Sequence, residues 1–170
     1  LILAMLVASG AAFAQQNIPP SAKVVAANEL LKQKKLDEAA QAFRDILANE
    51  PENGRAWYGL GMSLHLAGKF PEAIEAFQKN VSIAGNPTAM YNVASGYARI
   101  GQKDKAFEWL EKSIGAGFGQ FANLDADSDL ESLRADARYK KMQELIERQI
   151  APCRFMPEAK QFDFWIGDWD

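Results

Sequence analysis

Between Ser21 and Gly117 the apolar residues recur at helical spacing, and the helices themselves recur at a period close to 34 residues. Nothing else in the chain restricts its fold as much, because one helix pair of this kind cannot bury its apolar face alone and must stack on a copy of itself. Asp37, Pro71 and Asp104 each open the second helix of a pair. Two residues later stand Ala39, Ala73 and Ala106, and four further on Phe43, Phe77 and Leu110, at intervals of 34 and then 33. The small residue lets two helices approach closely, and the large one a turn later fills the space between neighbouring units. The spacing predicts an all-α helix-turn-helix solenoid of three units, at about 20–53, 54–86 and 87–120, the third one residue short.

The middle unit is the sharpest, with Trp57, Leu60 and Gly61 on its first helix, Gly68 and Phe70 at the turn, and Ala73 and Phe77 on its second. Gly68 suits the left-handed position that ends a helix, and Pro71 the first turn of the next, where its missing N–H costs nothing. Together these residues resemble the tetratricopeptide repeat. The first unit carries Ala27, Leu30, Leu36, Ala39, Phe43 and Pro51 at matching places, and the third Val93, Ala94, Tyr97, Gly101, Ala106 and Leu110. Lys23 and Met90 depart from the pattern where Trp57 stands, and Asn80 occupies a position where a small residue is usual.

A stack needs an ending, since its last unit would otherwise expose an apolar face. The stretch from Leu124 to Tyr139, rich in leucine and aspartate, is similar to the terminating segment that follows bacterial tetratricopeptide arrays. Residues 121–150 are therefore the expected cap. Asp136 is a candidate N-cap for its helix, Tyr139, Met142, Leu145, Ile146 and Gln149 share one face, and Pro152 stops it after Ile150. Asp125, Asp127 and Asp129 alternate as in a calcium loop, but Leu130 and Asp136 stand where an EF-hand needs Gly and a bidentate Glu. No metal and no cofactor is assigned.

The resemblance implies a protein or peptide partner, taken on the concave face lined by the first helix of each unit. Positions pointing inward are Val24, Asn28 and Lys32 in the first unit, Arg55, Tyr58, Met62, His65 and Leu66 in the second, and Tyr91, Ser95 and Arg99 in the third. Tyr and Met offer adaptable apolar contact, Asn pairs with backbone amides, and Arg takes a carboxylate, which suits an extended peptide. The partner-binding set is accordingly Asn28, Arg55, Tyr58, Met62, His65, Tyr91, Ser95 and Arg99. Family members that clamp the C-terminal carboxylate of chaperones use Lys and Asn at defined inward positions. Of these only Asn28 is matched, while Val24, Met62, Tyr91 and Ser95 depart.

Nineteen Lys and Arg against 22 Asp and Glu give a net charge of −3, without the basic excess that phosphate backbones require, so nucleic acid is not an expected partner. One histidine and one cysteine, His65 and Cys153, cannot build a Cys/His zinc site or an internal disulfide framework. His65 lies mid-helix, away from any sharp turn that would expose a nucleophile, and no catalytic residue is assigned.

Both ends read differently from the repeats. Leu1 to Ala8 form an apolar run too short to span a bilayer, and Ala12-Phe13-Ala14 supplies the small residues of a signal-peptidase site. Residues 1–14 are thus expected to be a partial secretory signal, with a periplasmic or secreted mature chain from about Gln15. In such a compartment Cys153 is either free or paired with another molecule. Residues 151–170 form a linker and, at Gly167-Asp168-Trp169, resemble the Gly-x-Trp that opens lipocalin-like barrels. The alternative reading follows: the repeats accompany a barrel that binds or converts a small apolar ligand.

Overall fold

A computed structural model of the chain describes residues 21–118 and 124–151. The expected signal at 1–14, Cys153 and the aromatic stretch at 161–170 lie outside the described residues. Six helices form three antiparallel pairs: α1 Ala22–Lys32 with α2 Leu36–Leu47, α3 Gly54–Leu66 with α4 Phe70–Ala84, and α5 Pro87–Arg99 with α6 Lys103–Gly115. Two short 3-10 helices, Leu124–Ala126 and Ser128–Leu133, lead into α7, Ala137–Ile150. The pairs stand where the spacing predicts them, and the architecture is an all-α helix-turn-helix solenoid.

Local chemistry sets the boundaries. Ser21, Asn53 and Asn86 cap α1, α3 and α5 by accepting from the backbone N–H of Val24, Ala56 and Thr88. Each turn within a pair passes through the left-handed region at one residue, Lys34 (φ 59°), Gly68 (75°) and Gly101 (76°). Glycine enters that region without a Cβ penalty, so the first turn alone carries a side chain where the other two do not. Asp136 caps α7, as its sequence position predicts, and accepts from Arg138 N–H.

The repeat core uses small residues on first helices to make room for rings on second helices. Phe43, Phe77 and Leu110 are fully buried, as are Ala39, Ala73 and Ala106. A Cβ at Gly59 would enter the Phe43 ring, and one at Gly61 would come within 2.6 Å of the Phe77 ring. Gly96 likewise lies against Ile74. Asn80, the departure from the pattern, is buried and donates Nδ2 to the Gly54 carbonyl at 2.7 Å. Ser113 makes the corresponding tie to the Pro87 carbonyl at 3.0 Å. In both units the polar side chain donates to the start of the partner helix, where a carbonyl's second lone pair satisfies a donor that packing has taken from water.

The apolar core runs as two clusters that meet in α5, one from Val24 to Val93 and the other from Ala94 to Ile146. In the second, Leu124, Leu130, Leu133, Tyr139, Met142 and Ile146 cover Phe107, Leu110 and Ile114 of the last pair. This is the ending that a stack requires.

Candidate functional site

The first helices α1, α3 and α5 line one face of the stack, and the expected partner-binding residues divide on it into two groups. In the N-terminal group Asn28, Arg55, Tyr58 and Met62 are half-buried. Tyr58 packs edge-on against Phe77 at 5.7 Å, which fixes its ring and leaves the hydroxyl at the surface of the cluster. Asn92 on α5 joins it: its Nδ2 donates to the Tyr58 hydroxyl at 3.3 Å and to Met62 Sδ at 3.5 Å. The contact to the hydroxyl is long and the thioether is a weak acceptor, so the amide is placed by its neighbours and only loosely held by them. Asn92 was not among the inward positions read from the sequence, because a step of 33 residues from Tyr58 lands on Tyr91.

The C-terminal group is already engaged by the chain itself. The 3-10 segment crosses α5, and Asp129 reaches both α3 and α5. His65 Nε2 lies 2.6 Å from Asp129 Oδ2, and Arg99 Nη1 donates to Asp129 Oδ1 at 2.6 Å. Tyr91 donates its hydroxyl to Asp127 Oδ2 at 2.5 Å. Burial pushes the Asp129 carboxyl upward, but the hydrogen bonds and charges of His65 and Arg99 outweigh it and hold the group below its ordinary value. Asp129 is therefore ionised at neutral pH and can only accept, so His65 Nε2 is the donor of their hydrogen bond. Burial first, then the Asp127 carboxylate, pushes the Tyr91 hydroxyl far above its usual range, so it acts as a donor only.

Two other expected residues lie in the packing. Val24 and Ser95 are each only 2% exposed: Val24 belongs to the repeat core, whereas Ser95 shares the stripe of Tyr91 and Arg99 one helical turn from each, on the face that the 3-10 segment covers. Lys32 and Leu66 are exposed, and Lys32 lies 3.4 Å from Glu29. Among the described residues no group of three or more His, Cys, Asp and Glu could hold a metal ion. Among the same residues no helix is long and apolar enough to cross a membrane.

Residues 24–87 match the tetratricopeptide repeat family model. A chloroplastic protein of Arabidopsis thaliana is 32% identical over 78 residues, 44% of this chain and 23% of that protein, so the chain spans about a quarter of its length. Two structures of the type III secretion translocator chaperone SycD of Yersinia enterocolitica share the fold. One has a TM-score of 0.56 at 17% identity, covering 85% of this chain and 94% of the chaperone. The other, an alternative dimer, has a TM-score of 0.55 at 15% identity, covering 79% and 92%. The match over residues 24–87 and the shared fold together define an all-α repeat scaffold.

Proposed function

We propose that the chain binds an extended segment of a partner protein along the face of α1, α3 and α5, with Tyr58, Met62 and Asn92 at the centre of the contact. One observation carries this reading: an aromatic hydroxyl, a thioether and an amide meet half-buried across two repeat units, and the amide's own bonds are weak, one long and one to a thioether. A peptide backbone passing over them gains hydrogen bonds from Asn92 and apolar contact from Tyr58 and Met62. The chaperone role of the structural neighbours agrees with a scaffold that holds another chain.

Selection from a random-peptide display library against the 170-residue chain tests it. Peptides enriched by the wild type are expected to lose binding to Y58A/M62A/N92A and to keep it with E72A, which removes an exposed group on α4. Equal binding to both variants would move the site off this face.

Export and a lipocalin-like domain opening near Gly167 are part of the proposal on sequence grounds, from Leu1 to Ala14 and from Gly167 to Trp169. Intact mass of periplasmic material tests the first: a mature protein still carrying Phe13 would contradict it.

A further inference from the structure

The three donors that meet Asp127 and Asp129 are held in place by groups other than those aspartates. Arg99 lies over the Phe70 ring, its guanidinium carbon 4.7 Å from the centroid. His65 packs edge-on against the same ring at 5.2 Å and lies 6.3 Å from Phe77. Tyr91 stacks on Phe118 at 4.3 Å. Each donor thus packs against an aromatic ring as well as meeting a carboxylate, and donors with such independent contacts are what distinguish a built site from a chance ion pair. His65 Nδ1 is buried and has no hydrogen-bond partner among the described residues, so the ring is not held by a second polar tie of its own.

The occupant is equally organised. Asp127 Oδ1 accepts from the backbone N–H of Asp129 at 2.9 Å, and this local turn holds the two carboxylates together. All four carboxylate oxygens are then used: one by the turn, one by Tyr91, one by Arg99 and one by His65. Arg134 closes the turn from the other side by donating to the carbonyls of Asp125 and Asp127.

We infer that His65, Tyr91 and Arg99 form a recognition site for a turn bearing two carboxylates two residues apart, and that the chain's own Asp127-Ser128-Asp129 occupies it as an internal ligand. This deepens the proposed function: it names an acidic turn as the partner feature read by the C-terminal half of the face, and it makes the capping segment a competitor of that partner. Leu130 and Leu133 are fully buried and tether the segment beside the site, so the internal ligand acts at high effective concentration. An acidic partner binds only in the fraction of molecules whose own turn has left, and its apparent affinity falls by that fraction.

The probe is a labelled peptide with the sequence of residues 124–133, titrated into the full chain with anisotropy as the readout. D127N/D129N keeps side-chain shape and the capping oxygen at 127 but removes the competing charge. It is expected to bind the peptide at least about ten times tighter than wild type does. Adding R99A to that variant should abolish the gain, as should using a peptide with Asn at both acidic positions. Equal peptide affinity in wild type and D127N/D129N, or absence of binding by a variant whose circular dichroism is native, would overturn the inference. Should the double variant not fold, the single D129N carries the same readout. Failure here with loss of library peptides by Y58A/M62A/N92A would remove the internal ligand and leave the proposed function standing.

Discussion

The first four helices and the capping end bury comparable apolar side chains by different means. In α1 to α4 the contact is repetitive: alanines and glycines on one helix receive phenylalanine rings from another, and the same positions recur a unit later. At the cap the buried residues are leucines from an irregular segment with Tyr139, Met142 and Ile146 of α7, and charged and hydroxyl groups tie that segment back to α3 and α5. A repeat specifies its neighbour because both sides of the interface are copies. An ending has no copy to meet, so it must make contacts of its own, and here those contacts fall on the face that the open units leave accessible.

Removing a ring should separate the two regions most clearly. Phe77→Ala takes out the fully buried side chain beneath Gly61 and Tyr58, and is expected to cost about 3–5 kcal/mol. A thermal midpoint within a degree or two of wild type would show that the repeat core does not depend on these rings. The converse substitution, Gly61→Ala, pushes a methyl into the same ring and should cost about 1–3 kcal/mol by overpacking. Ala73→Leu tests the neighbouring close approach in the same way. Unchanged midpoints for both would mean that the helices are not in this register.

A pH effect is expected at the capping end from Asp129. The Asp129 carboxyl is held below its ordinary value of 3.8 in the folded chain, so the stability it contributes is fully present above that value. It is lost as the pH falls through the lower folded value. Asp129→Asn is therefore expected to lower the midpoint at neutral pH and to converge with wild type in acid. Parallel curves for the two proteins across that range would contradict the assigned ion pair. Asp136, lowered to about 2 by Arg138, titrates in the same direction and remains in both proteins.

The smallest effect concerns the turns. Lys34 adopts the conformation that Gly68 and Gly101 adopt in the other units. Lys34→Gly should stabilise the chain by less than about 1 kcal/mol, the left-handed cost of a Cβ less the added freedom of glycine when unfolded. A lowered midpoint would show that the lysine side chain contributes more than its backbone strain removes.

Much of the solenoid was legible because every cue was local or periodic. Gly68 and Pro71 mark a helix stop and start from neighbouring residues alone, and Ala73 and Phe77 gain meaning from their counterparts a unit away. Asp136 was readable as a cap for the same reason. The engagement of His65 by Asp129 was not, because 64 residues separate them and the aspartate sits outside the repeat period. The alternating aspartates read as a failed calcium loop, whereas Asp127 and Asp129 meet donors on two other helices. Counting by repeat placed Tyr91 and Arg99 on the inward face, where Asp127 and Asp129 meet them. Ser95 lies between Tyr91 and Arg99 on the same stripe, buried where the capping segment crosses, and Asn92 was passed over.

Hydrogen exchange of wild type and D127N/D129N, with no ligand present, tests most directly the division between an open repeat face and one held by the chain's own acidic turn. Exchange is expected to quicken at residues 124–134 and along the face of α5, while the backbone amides of α1 to α4 keep their wild-type protection. Unchanged protection at 124–134, or a loss spread evenly over all seven helices, would contradict it.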